Sequence, residues 1–219
     1  MTTNKPLSDF SRTCRQQGVV PTRYLLTVNI ARQTTSLWER SRDVDPVWEA
    51  QFIERAAAMA RRGYASADEI QNAESLKPRY SLQFKLVKTY RCSTSKYGIG
   101  EKAGSNMTPR GLHRVAKKIG GGWPVGAAWK NRQLIGFTWT DQPMTPIAHR
   151  IFWLEGLEPG RNRGDGIDSH ERYIYIHGTG NEPTIGRPDS HGCVHLSAND
   201  LIPLYDKLPE GTLVWIAES

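Results

Sequence analysis

From Arg23 onward the apolar residues of this 219-residue chain come in short β-branched and aromatic runs, cut off by Gly, Pro, Asn and Asp. That punctuation constrains the fold more than any other feature, because such runs suit strands and are too short for helices. Tyr24–Ile30 is one such run, and Thr35–Glu39 reads as its hairpin partner across a short polar turn. Strand character resumes over Tyr80–Ser95, and Ile151–Leu154 and Tyr173–Ile176 read as buried strands. Leu213-Val-Trp-Ile216 closes the chain as a last strand. Between Lys96 and about Pro146 the chain is rich in Gly, Ser and Trp, and reads as functional loops between strands.

Helical spacing is confined to a few places. Asp45-Pro46 offers an N-cap with proline at the first helical position, and Trp48, Phe52, Ala56 and Met59 follow on one face before Gly63. Ser66-Ala-Asp-Glu69 has the form of a capping box for a second short helix that ends by Pro78. Together they make a helical insertion at about 43–78. Ser197-Ala-Asn-Asp200 opens a later helix that carries Leu201, Leu204, Tyr205 and Leu208. The expected class is mainly β with α insertions. Residues 1–21 are polar and are expected to be a flexible N-terminal arm, with residues 22–219 forming one domain.

A chain that is 38% hydrophobic with seven Trp buries a real core. No run approaches the roughly 18–20 apolar residues of a membrane span, and Met1–Phe10 has no apolar stretch of signal-peptide type. The net charge of +7 is unevenly spread. Residues 81–150 hold twelve Lys and Arg against two Asp and Glu, whereas residues 151–219 hold five against eleven. A basic middle attracts an anionic partner unless it lies beside the acidic final third in the fold. No helix-turn-helix, aromatic RNA-binding strand or Cys/His finger is visible, and no Gly-rich segment ends in Gly-Lys-Ser/Thr, so neither nucleic acid nor a phosphate-loop nucleotide is expected.

All six histidines lie beyond residue 112, and three of them surround one cysteine: His177, His191, Cys193 and His195. With three cysteines, none in a C-x-x-C pair, there is no disulfide framework, and at least one thiol is unpaired. Cys14 and Cys92 read as small buried hydrophobes, and His113, His149 and His170 as structural. His177-Gly-Thr179 leaves the end of a strand, and Ser190-His-Gly-Cys193 follows about a dozen residues later, far enough for the chain to turn back. If the two meet, the imidazole lowers the thiol pKa and yields a thiolate that attacks carbonyl carbon. Gly192 permits unusual dihedrals and close approach, and the N–H groups of His191, Gly192 and Cys193 could converge on an oxyanion. The competing reading is zinc held by three His and one Cys, but the spacing matches no common zinc pattern and adjacent strand residues point apart.

His177-Gly-Thr with Ser190-His-Gly-Cys193, Leu196 and the terminal Gly-Thr-Leu-Val-Trp-Ile strand resembles the L,D-transpeptidase (YkuD-like) catalytic domain family. The hairpin Tyr24–Glu39, the Cys92-Ser-Thr-Ser segment and Thr108-Pro-Arg-Gly111 are similar to upstream parts of that family. The resemblance covers most of residues 22–40 and 80–216. It implies a β-sandwich-like catalytic domain acting on peptidoglycan tetrapeptide stems as donor and acceptor, with no cofactor and no metal. Carried over, Cys193 is the nucleophile, His177 the general base, and the Gly178 carbonyl the group that orients the imidazole. His191 shapes the cleft and the oxyanion site, and Ser190, Gly192 and His195 are assigned to substrate binding, Ser190 through the nearby backbone.

The resemblance further implies release of D-Ala, a thioester acyl-enzyme, and 3→3 cross-links or exchange of D-amino acids, with carbapenem-type β-lactams as covalent inhibitors. An L,D-carboxypeptidase using water, or a non-catalytic peptidoglycan-binding module, are the alternatives. Two residues past the cysteine, where the family usually has Arg or Asn, this chain has His195, a full cation only when protonated. The family acts in the cell envelope. With no export signal in the opening residues, the expected routes are a missing leader, delivery as a secreted effector, or action on recycled muropeptides in the cytosol.

Overall fold

The strands at the centre of the sheet bury alternate side chains on opposite faces, so separate apolar clusters form on its two sides. The computed structural model describes residues 5–40, 54 and 84–219. Within them lie helix α1 (Lys5–Gln16) and strands β1 (Tyr24–Asn29), β2 (Thr34–Arg40), β3 (Phe84–Arg91), β4 (Gly111–Ile119) and β5 (Ala127–Lys130). Strands β6 (Gln133–Phe137), β7 (Ala148–Gly156), β8 (Tyr175–Gly178) and β9 (Val194–Leu196), helix α2 (Ala198–Lys207) and strand β10 (Leu213–Ala217) follow. The strands form one mainly β architecture in the order β3-β2-β1-β10-β4-β7-β5-β6, and β8 and β9 branch from β7.

The hairpin read from the sequence is present: β1 and β2 pair antiparallel with Tyr24 opposite Glu39 and Asn29 opposite Thr34. The last strand lies between β1, to which it is parallel, and β4, to which it is antiparallel. On one face Leu26, Val28, Val214 and Ile216 join Phe152, Ile176, Val194 and Leu201 in the main core. On the other, Leu25, Leu213 and Trp215 pack with Leu112, Phe10 and Cys14. Burial on both faces explains why Leu213–Ile216 reads as an unbroken apolar run.

That second core corrects the N-terminal expectation. Residues 5–16 form a helix, and Phe10 is 0% exposed. Leu7, Phe10 and Cys14 fall at i, i+3 and i+7, one helical face, and three apolar residues in a polar stretch are a faint signal. The reading of residues 96–146 as loops is corrected in part as well, because β4, β5 and β6 lie there. In β4 the basic residues mask the strand. Arg114 pairs with Glu155 on β7, and the half-buried Lys118 donates to the Leu208 carbonyl past the end of α2, 2.8 Å away. The basic middle thus meets the acidic final third at these points, and Lys88 and Asp200 add another contact at 3.2 Å.

Apart from residue 54, the predicted helical insertion at about 43–78 lies outside the described residues. Helix α2 begins next to Ser197, as its sequence suggests, but Ser197 Oγ donates to Asp200, and the Ala198 N–H is taken by Glu182 Oε1 at 2.6 Å. Among the described residues no helix is long and apolar enough to cross a membrane.

Candidate active site

Two short parallel strands carry the site. A parallel pair needs a connection of about a dozen residues or more, which is the interval between His177-Gly-Thr and Ser-His-Gly-Cys. Strand β8 starts two residues later than the apolar run suggests, so His177 lies within it. It pairs with β9 in the register Ile176–Val194, His177–His195 and Gly178–Leu196. Cys193, just ahead of β9, therefore falls beside Tyr175. Alternation along the strands puts Tyr175 and His177 on one face, with Cys193 and His195 next to them.

The other edge of β9 is occupied by the Cys92-Ser-Thr-Ser segment. Ser93 and His195 exchange backbone hydrogen bonds of 3.0 and 2.8 Å, and the Asp189 and Ser190 N–H groups donate to the Thr94 carbonyl. Thr108 Oγ1 accepts from the Ser95 N–H at 2.9 Å. The upstream motifs thus wall the cysteine loop. Ser190, fully buried, donates from Oγ to the Cys193 carbonyl at 2.6 Å and accepts from the Gly192 N–H at 3.2 Å. Gly192 has φ +119°, and a Cβ there would lie 3.2 Å from the Met107 carbonyl oxygen and 3.3 Å from Ile174 Cδ1. No other residue fits that conformation and that gap without strain.

His177 is 2% exposed, and its Nδ1 lies 2.7 Å from the Gly178 carbonyl oxygen. A carbonyl only accepts, so Nδ1 carries the proton and Nε2 keeps a free lone pair. Burial pushes this imidazole down to about 3; the neighbouring His195, its ring centroid 4.7 Å away, adds to the shift, and the Gly178 carbonyl opposes it. Burial pushes the Cys193 thiol up to about 11, against the pull of the Tyr175 N–H and the Arg172 guanidinium. Burial thus favours the neutral form of both groups, the Cys193 thiol and the His177 imidazole.

The Cys193 sulfur lies 3.4 Å from the Tyr175 N and 3.5 Å from the Tyr173 carbonyl oxygen, and no hydrogen bond joins it to His177. An offset of two residues on neighbouring strands corresponds to roughly 8 Å between the Cα atoms. Side-chain rotation or one bridging water closes such a span, and catalytic contacts commonly tighten only with substrate bound.

The remaining assignments divide. His191 is exposed, with its ring centroid 5.4 Å from that of Tyr97, and it lines a cavity of about 330 Å³ together with Asn106, Glu171, Arg172 and Ile174. The side chains of Ser190 and His195 are both buried. The Ser190 hydroxyl is consumed within its loop, and His195 is 8% exposed and pushed down to about 4 by burial, then by His191. An uncharged, buried imidazole cannot anchor a carboxylate as a cation. Among the described residues no group of three or more His, Cys, Asp or Glu side chains is arranged to hold a metal ion.

Arg172 was not legible in the sequence, being one cation in a polar stretch without periodicity. It donates to the carbonyls of Gly100, Glu101 and Met107 at 3.2, 2.7 and 2.7 Å. It thereby holds the segment that abuts Gly192 and lays a positive charge near the sulfur.

A mainly β domain that joins a His-Gly-Thr strand to a Ser-His-Gly-Cys loop in parallel defines a narrow class. The chain belongs to the L,D-transpeptidase (YkuD) catalytic-domain family, whose profile matches residues 78–216. No curated protein matches the sequence. Among solved structures it is similar to Bd1075 of Bdellovibrio bacteriovorus, at 12% identity and a TM-score of 0.46, over 90% of this chain and 48% of the other. It is also similar to an L,D-transpeptidase from Mycobacterium smegmatis, at 15% and 0.42, over 89% of this chain and 58% of that one. A third is L,D-transpeptidase 3 from Mycobacterium tuberculosis with a faropenem-derived adduct, at 15% and 0.40, over 90% and 60%. The chain spans less than two thirds of the length of each of these proteins.

Proposed function

We propose that the chain is a cysteine L,D-transpeptidase that acts on peptidoglycan tetrapeptide stems. The observation that carries this reading is the pairing of β8 with β9, which puts Cys193 and His177 on one face while His177 Nδ1 is held by the Gly178 carbonyl. Because both groups are neutral at rest, the proton leaves sulfur as the bond to carbon forms. Sγ of Cys193 attacks the carbonyl at the L-centre of the third stem residue, and Nε2 of His177 takes the thiol proton. The tetrahedral intermediate collapses to a thioester, and His177 returns the proton to the amine of the departing D-Ala.

An amine from a second stem then attacks the thioester to give a 3→3 cross-link, and a free D-amino acid in its place gives exchange. Water in that role gives an L,D-carboxypeptidase. Since the Gly192 N–H is committed to Ser190 Oγ, the His191 and Cys193 N–H groups are left for the oxyanion. A module that merely binds peptidoglycan has no use for a thiol aligned with a base. The substrate places the activity at the cell envelope or on fragments recovered from it.

Incubation with disaccharide-tetrapeptide and mass analysis of the products tests the reading. A cross-linked dimer with loss of D-Ala is expected. Tripeptide alone assigns the carboxypeptidase, and unchanged substrate leaves the binding module.

A further inference from the structure

The Gly178 carbonyl that holds His177 is itself backed by a residue the sequence reading treated as structural. Strand β7 pairs with β8 at Ala148–Gly178 and again at Ile151–His177, so His149 and Arg150 are extra residues in a bulge. His149 adopts φ +68°, a left-handed conformation that is uncommon for a non-glycine residue. Such backbone persists where its surroundings over-determine it, and here they do. The His149 carbonyl accepts from Trp129 Nε1 at 3.3 Å and from Arg150 Nη1 at 3.0 Å, and His149 Nδ1 accepts from the Gly126 N–H at 2.8 Å.

With Nδ1 accepting, the neutral ring carries its proton on Nε2. That atom is buried without a hydrogen-bond partner and faces Glu182 Oε1 at 3.5 Å. The same oxygen accepts from the Ala198 N–H at the start of α2. The ring edge then presses on Gly178, where a Cβ would overlap His149 Cδ2 and lie 2.8 Å from the Ala148 carbonyl oxygen.

We propose that His149 is a positioning residue for His177: clamped in the β7 bulge between the Gly126 N–H and Glu182, its ring packs on Gly178 and sets the carbonyl that fixes the His177 tautomer. The charged and titratable groups around it are Glu182, Arg150 and His177. This inference rests on the assignment of His177 as the base.

The test is acylation of the full chain by imipenem, followed by intact-protein mass from about pH 2.5 to 9 so that the limb of the depressed His177 imidazole falls within the window, in the unmodified protein, His177→Ala, His149→Asn and Glu182→Gln. Asn tolerates the left-handed conformation and keeps an acceptor for the Gly126 N–H, but withdraws the ring from Gly178. His149→Asn is expected to slow acylation by about tenfold or more, the scale of a misplaced catalytic group. It should also displace the basic-form limb of the pH profile by about half a unit or more, because the hydrogen bond to the imidazole changes. Glu182→Gln, which still accepts from Ala198, moves the limb the same way by less, and carries the test should His149→Asn not fold. A lower Tm with an unchanged rate and pH profile in the folded variants overturns the positioning role while leaving His177 as base. Equal rates for His177→Ala and the unmodified protein remove the base assignment instead.

Discussion

The backbone N–H of Tyr175 points at the sulfur of Cys193 across 3.4 Å. That donor stabilises negative charge on sulfur, whereas Cys14 and Cys92 lie in apolar surroundings whose burial pushes each thiol up to about 12. Reactivity should therefore be confined to one site. A carbapenem is expected to add once per chain, and the adduct should vanish in Cys193→Ala. Intact-protein mass spectrometry reads both, and an adduct retained in that variant would transfer the nucleophile to Cys14 or Cys92.

On the proposed mechanism, His177→Ala removes the group that accepts the thiol proton. Acylation is expected to slow by at least about a hundredfold, the usual scale for loss of a general base. Stopped-flow or quenched mass analysis measures it, and an unchanged rate would pass the role to His191, the exposed imidazole of the cysteine loop.

Gly192→Ala forces a side chain into a left-handed conformation at φ +119°, against the Met107 carbonyl and Ile174. A cost of about 1–3 kcal/mol in stability is expected from backbone strain, along with displacement of Cys193 from Tyr175. Thermal unfolding and acylation should both suffer. A variant with native Tm and native acylation would show that the loop relaxes freely.

Acid should weaken the fold well before the carboxylates titrate. His113, His177 and His195 are held down to about 4, 3 and 4, with burial the largest cause in each case. In the unfolded chain they take up protons near pH 6.5, so between that value and the folded pKa values the unfolded state binds more protons. Stability then falls as pH falls, by at most about 1.4 kcal/mol per pH unit for each histidine. Urea midpoints at pH 7, 6 and 5 should decline in that order, and a flat series would show that these imidazoles are not buried neutral.

Much of the fold was readable where one residue pattern answers to one environment. The hairpin from Tyr24 to Glu39 and the buried strand Leu213–Ile216 both declare themselves through β-branched and aromatic runs. Strand β4 did not, because Arg114, Lys117 and Lys118 interrupt a strand that buries Leu112, His113 and Val115, and the partners of Arg114 and Lys118, Glu155 and Leu208, are distant in sequence. Helix α1 was missed for a related reason: Phe10 and Cys14 are informative only once Trp215 is known to lie beneath them.

The local chemistry of the chain was written in its order of residues: a thiol after a glycine, an imidazole before one, and a separation suited to a parallel crossover. Only the tertiary structure decided the protonation states, since burial raises one group and lowers the other, and burial depends on what distant segments cover. It also decided which side chains are buried in the framework, as Ser190 and His195 are, and which lie close behind Cys193 and His177, as Arg172 and His149 do. Those relationships arise from strand register and from a bulge in β7, and neither is encoded within the motif that names the family.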